Sequence, residues 1–158
     1  MRTGQFLVAL ACAVAVGCKD NPAPIVPAAV LSPDMKIMHA LDFYEPMYKV
    51  DANGRVTHLR LAWRHLPAPV LAEIGKLTEL QAIELSGTTV TDEGLAQFAN
   101  LQNLRSMSLV NTPITDGGLV HLAKLQSLQF LWLPKNRVTQ AGVERLKRAC
   151  PDMNVYLL

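Results

Sequence analysis

Leu77–Lys124 reads LTELQAIELSGTTVTDEGLAQFAN followed by LQNLRSMSLVNTPITDGGLVHLAK, one 24-residue unit written twice. Leu77, Leu80, Leu85, Thr88, Thr91, Asp92, Gly94 and Leu95 recur at Leu101, Leu104, Leu109, Thr112, Thr115, Asp116, Gly118 and Leu119. Ile83 and Val90 are matched in kind by Met107 and Ile114. A fixed period with apolar residues at fixed phases is the mark of a solenoid.

Within the unit, Ile83 and Leu85 obey period two, so they point to one side of a short strand. A turn with Gly87 and Thr88 leads to Val90, and Thr91-Asp92-Glu93-Gly94 opens a helix. Thr91 is the expected N-cap, its hydroxyl accepting from a free N–H of the first turn. Asp92 and Glu93 place negative charge at the positive end of the helix dipole. Leu95 and Phe98, three apart, face the core. Strand, turn, helix, turn cannot bury its own apolar face, so each unit must stack on its neighbours.

The spacing L-x-x-L-x-L in Leu80, Ile83 and Leu85 resembles the leucine-rich repeat family, whose pattern L-x-x-L-x-L-x-x-N/C-x-L has a period range that includes 24. The position usually held by Asn or Cys is Thr88, then Thr112. The segment T-x-V/I-T-D-x-G-L is similar to a bacterial variant in which each repeat carries a regular helix. The resemblance implies an α/β fold: a leucine-rich repeat solenoid of about four strand–turn–helix repeats, with a curved parallel sheet and end caps.

The phase extends outward. Subtracting 24 from Leu80, Ile83, Leu85, Val90, Leu95 and Phe98 gives Val56, Leu59, Leu61, Leu66, Leu71 and Ile74, a degenerate first repeat with Pro67-Ala68-Pro69 in place of Thr-Asp-Glu. Adding 24 to the second copy gives Leu125, Leu128, Leu131, Leu133, Asn136, Val138, Thr139, Gly142, Val143 and Leu146, with Asn136 at the family's Asn position. Repeats are therefore expected over 53–150. Residues 34–52 read as an N-terminal cap: a short helix with Met35, Ile37, Met38 and Leu41 on its apolar side, then a strand at Tyr48–Val50 turning through Asn53-Gly54. Residues 151–158 read as a closing strand.

The first residues are of another kind. Arg2 precedes an unbroken apolar run, Phe6 to Val16, too short to span a bilayer and suited to an export signal. Ala15-Val16-Gly17-Cys18 resembles a bacterial lipobox, which implies a signal peptide at 1–17 and lipidation of Cys18. Cys12 is a second candidate with a shorter apolar run before it. An ordinary secretory signal or a short membrane anchor are the alternatives. Cleavage before Cys18 would lower the formal charge from +2 to +1, since only Arg2 is lost. The lipidated Cys and its tether would cover 18–33, and the fifteen residues from Lys19 to Pro33 hold four prolines, at 22, 24, 27 and 33. A spacer of that composition reaches about 45 Å at roughly 3.1 Å per residue. The expected location is the bacterial cell envelope, as a membrane-anchored lipoprotein, with a secreted or periplasmic protein as the alternative.

At 158 residues, half of them apolar, one domain with a sizeable core is expected. A formal charge of +2 gives no reason to invoke nucleic acid. His39, His58, His65 and His121 show no metal-binding spacing, and nucleophile-elbow, P-loop and dinucleotide signatures are absent. Asp51 and Asn53 lack the other ligands of a calcium loop. No catalytic residue, metal or cofactor is expected. With Cys18 lipidated, Cys150 has no disulfide partner and should pack as a small apolar residue.

In a stacked array, the outward strand positions form columns on the concave surface. They are His58, Ala82, Ser106 and Phe130; Arg60, Glu84, Ser108 and Trp132; and Ala62, Ser86, Val110 and Pro134. Arg60, Glu84, Ser108, Phe130 and Trp132 are the candidate binding residues. Phe130 and Trp132 are the type of anchor enriched at binding hot spots, unless they pack under the terminal cap against Tyr156. Arg137, Arg145, Lys147 and Arg148 make the last repeat basic, which suits a helix C-terminus or an acidic surface. These features point to a monomeric, non-enzymatic module that binds protein or glycan. An accessory or regulatory domain of an envelope enzyme system is the alternative.

Overall fold

The computed structural model describes residues 32–158; the expected signal, Cys18 and most of the proline-rich spacer lie outside them. The chain forms one six-stranded sheet whose strands lie side by side in sequence order. The strands are β1 (Met47–Val50), β2 (Val56–Arg60), β3 (Ala82–Glu84), β4 (Ser106–Ser108), β5 (Phe130–Leu133) and β6 (Asn154–Leu157). β1 and β2 pair antiparallel as a hairpin, and every later pair is parallel. His58, Ala82, Ser106, Phe130 and Asn154 stand opposite one another in turn, so each parallel step advances the chain by one 24-residue period. This is a leucine-rich repeat solenoid.

The crossovers carry α2 (Ala68–Ile74), α3 (Asp92–Leu95), α4 (Leu119–Leu122) and α5 (Gln140–Ala149), while α1 (Pro33–Ala40) precedes the sheet. One core runs between sheet and crossovers. Leu59, Ile83, Met107 and Leu131 enter it from the strands, and Leu71, Leu95, Leu119 and Val143 from the helices. At the N-terminal end, Ser32 caps α1, and the buried Asp34 carboxylate accepts from the Val56 N–H at 2.8 Å. Asp51 Oδ1 accepts from the N–H groups of Asn53 and Arg55, which closes the β1–β2 turn as an Asx turn.

The recurring T-D-x-G opens the helix as expected, with Asp92 and Glu93 in its first turn, and has a second use. Asp92 and Asp116 each reach the next repeat. Asp92 accepts from the Thr115 N–H (2.8 Å) and hydroxyl (2.5 Å), and Asp116 from the Thr139 N–H (2.8 Å) and hydroxyl (2.6 Å). Glycine follows because any side chain at Gly118 or Gly142 would collide with that carboxylate. Thr139 also accepts from the Gly142 N–H at 3.1 Å, so its hydroxyl both caps α5 and ties it to the preceding repeat. Thr91 makes no such cap bond, contrary to expectation. The preceding repeat offers Ala68 where an Asp would reach it.

Other expectations are also corrected. The helices are not regular in every repeat: α3 and α4 have 4 residues each, and α3 tightens into a 3₁₀ turn at Ala96–Phe98. Thr88 and Thr112 are buried, and their hydroxyls donate to the carbonyls of Leu85 and Leu109 at 2.6 Å. Asn136 does not take that place. It is exposed, because the last turn is rebuilt around Pro134, whose carbonyl accepts from Val138. Pro134 itself is buried and leaves the outward column.

Candidate concave binding face

Alternation along the strands sends every second residue away from the core. The burial sequence around Leu59 in β2, Ile83 in β3 and Met107 in β4 shows it directly. The register assembles these residues into two rows. The first runs Lys49, His58, Ala82, Ser106, Phe130, Asn154; the second runs Met47, Arg60, Glu84, Ser108, Trp132, Tyr156. All five residues singled out from sequence therefore lie on one open face.

The face is unequal along its length. In the middle, Arg60 Nε stands 3.1 Å from Glu84 Oε2, an exposed ion pair worth little in energy. Ser86 and Ser108 share a hydroxyl hydrogen bond of 2.8 Å. At the C-terminal end the side chains become large and aromatic. Phe130 and Trp132 stack with ring centroids 6.3 Å apart and planes 20° from parallel. Trp132 stacks in turn on Tyr156 across the strand pair, at 5.6 Å and 16°. Phe130 is 40% and Tyr156 44% exposed. The two alternatives for the aromatic pair thus merge: Trp132 does pack on Tyr156, but on the open face rather than beneath a cap.

Tyr156 belongs to this group although sequence placed it in the closing strand. The signal was the phase itself, since 24 added to Trp132 gives Tyr156. Trp63 was missed for a related reason. Trp63, Gly87 and Asn111 hold one phase and share a left-handed backbone, with φ of 61°, 70° and 54°. Glycine adopts that conformation without strain, Asn tolerates it, and Trp does so rarely. The Trp63 indole lies on Gly87 where a side chain would otherwise stand, and it remains 69% exposed.

Elsewhere, a shallow cleft of about 280 Å³ opens between the first two repeats beside His65, Ala68, Thr91 and Glu93. Glu93 is held below the usual carboxylate range, first by its own backbone N–H and then by the Thr91 hydroxyl. Cys150 is buried, and burial pushes its thiol up. Among the described residues, no group of three or more His, Cys, Asp or Glu is placed to hold a metal ion. No helix among them is long and apolar enough to cross a membrane.

No known protein-family model matches the chain, and no curated protein does. Among solved structures, the chain is similar to a leucine-rich repeat protein of Leptospira interrogans at 23% identity and a TM-score of 0.39, covering 57% of this chain and 27% of that one. It is also similar to an internalin of Listeria monocytogenes at 11% identity and a TM-score of 0.35, covering 83% of this chain and 59% of that one. The chain thus spans less than two thirds of either protein. These are likenesses of fold alone, and the fold assignment rests on the 24-residue register.

Proposed function

We propose that this chain is a non-enzymatic binding module, tethered to a bacterial membrane by a lipid on Cys18, which holds a protein partner on the open face of its sheet. The observation that carries the reading is the exposed stack of Phe130, Trp132 and Tyr156. The corresponding positions in the middle of the sheet hold only Ala82, Glu84, Ser106 and Ser108, so the repeat itself does not require large aromatics there. Aromatic residues supply much of the energy at protein interfaces. Trp132 stacks with both Phe130 and Tyr156, which makes one continuous aromatic patch of the kind that anchors a protein partner. Arg60, Glu84 and Ser108 would form the polar part of the footprint.

Affinity capture from envelope extract, followed by titration of the captured partner, tests the face. Trp132→Ala should weaken binding by at least about tenfold, the scale of a hot-spot residue, while Ser106→Ala changes it little. Equal affinity for wild type and Trp132→Ala would overturn the reading. The tether is tested by palmitate labelling: Cys18→Ser should abolish the label and Cys12→Ser should leave it. Label that survives Cys18→Ser would remove the anchor.

A further inference from the structure

The two edges of the sheet are built differently. β1 carries Lys49, follows Pro46, and has an irregular register between Lys49 and Val50. A cation, a proline and a bulge are the ordinary protections of an edge strand. β6 has none of them. Its sequence is Asn154-Val155-Tyr156-Leu157, with no charge, no proline and an unbroken register to β5.

In a parallel pair the N–H and C=O of one residue point to the same neighbour, and the next residue points away. The N–H groups of Asn154 and Leu158 donate to the carbonyls of Gln129 and Leu133, and the Leu158 carbonyl accepts from Lys135. Val155 and Leu157, in the opposite phase, therefore turn their backbone groups outward. Among the described residues β6 pairs with β5 alone. An incoming strand would also meet Tyr156, the outermost ring of the aromatic stack.

The charge of the last repeat, which leads into β6, selects the occupant. From Pro134 onward, Lys135, Arg137, Arg145, Lys147 and Arg148 face only two acids in sequence, Glu144 and Asp152. None of the five cations forms an ion pair among the described residues, whose ion pairs all lie at or before Glu84. Pairing two β6 edges would bring two net-positive ends together, which disfavours a second copy of the chain. We infer that the outer edge of β6 receives an extended, acidic segment of a partner protein, added as a seventh strand beside Tyr156. Backbone hydrogen bonds to Val155 and Leu157 would supply attachment, and alternate side chains would supply specificity. This rests on the reading of the chain as a protein-binding module, and it names the chemistry of the bound segment.

The test uses random dodecapeptides displayed on phage and selected on the full chain. Recovered peptides should alternate Asp or Glu with β-branched or aromatic residues. Their binding should weaken at high salt, and bound peptide should slow amide exchange at Val155 and Leu157. Leu157→Pro removes an outward N–H without removing a bond to β5, and should weaken binding by at least about tenfold. Leu157 is half-buried, so if that variant fails to fold, amide exchange on the wild type decides alone. Loss with Trp132→Ala, but neither Leu157→Pro sensitivity nor protection of the two amides, would overturn the edge and leave the face reading standing. Protection of the two amides with no effect of Trp132→Ala would keep the edge and overturn the face. Neutral or basic peptides, recovery of none, or self-association that protects the same amides would overturn the acidic partner.

Discussion

Where the second repeat meets the third, and the third the fourth, an Asp carboxylate of one repeat holds the N–H and hydroxyl of a Thr in the next. Where the first repeat meets the second, Ala68 stands in place of the Asp, and the ties are of another kind. Leu66 donates its N–H to the Thr89 hydroxyl at 3.1 Å, and Arg55 reaches Glu79 at 2.9 Å. The apolar stack is continuous through all three junctions. Stacking of leucines is thus common to every repeat, while the Asp–Thr rung is an addition that the core can do without.

The comparison breaks hardest through the shared part. Leu109 is fully buried, and Leu109→Ala should cost about 2–5 kcal/mol in chemical denaturation. Ser108→Ala, one residue away on the open face, loses only its hydroxyl bond to Ser86 and should cost no more than about 1 kcal/mol. Similar losses for both would mean that the strand phase is misplaced.

The rung comes next. Asp116→Ala removes the acceptor of the Thr139 N–H and hydroxyl, and should cost about 0.5–1.5 kcal/mol, since both bonds are exposed and water can take the carboxylate's place. The Thr139 hydroxyl, and then the Thr139 N–H, hold the Asp116 carboxyl below its ordinary value. Its contribution is therefore complete above the unfolded pKa of roughly 3.9, and is lost as pH falls through the lower folded value. Wild type should lose more stability than Asp116→Ala between pH 4 and pH 2. Parallel acid curves for the two proteins would show that the rung stabilises nothing.

The smallest effect should have the opposite sign. Ala68→Asp supplies the first junction with the carboxylate that Thr91 lacks, and should raise stability by about 0.5–1 kcal/mol, a typical net hydrogen-bond contribution. A neutral or destabilising result would mean that Pro67 and Pro69 hold position 68 out of reach of Thr91.

Sequence made the solenoid legible because the strand register repeats the sequence period without slip: Ile83, Met107 and Leu131 are 24 apart in the chain and adjacent in the sheet. It placed Asp92 in the first turn of its helix, as the structure does, but did not reveal the bond to the next repeat's Thr, because a carboxylate at a helix start suits the helix's own dipole as well as a neighbour's Thr and a single repeat cannot distinguish them. Asn136 failed because Pro134, two residues earlier, imposes its own turn. Trp63 was hidden by the opposite habit. It sits on a phase that the next two repeats fill with Gly87 and Asn111, so pattern matching passed over it. The candidate site was legible as a set of columns. That Trp132 meets Tyr156 was legible as one of two alternatives; that the rings stack on the open face was not, since ring orientation depends on side-chain packing that periodicity does not carry.

The central claim is that Phe130, Trp132 and Tyr156 are surplus to the fold and present for a partner. Urea denaturation of Trp132→Ala beside Leu131→Ala tests it most directly, because the two residues are neighbours on β5 that point to opposite sides of the sheet. Leu131→Ala should cost about 2–5 kcal/mol as a buried leucine. Trp132→Ala should cost less, about 1–2 kcal/mol, since the residue is half-buried and loses two aromatic contacts at the open face. A loss for Trp132→Ala as large as that for Leu131→Ala would contradict the claim, and would make the aromatic stack part of what holds the C-terminal end together.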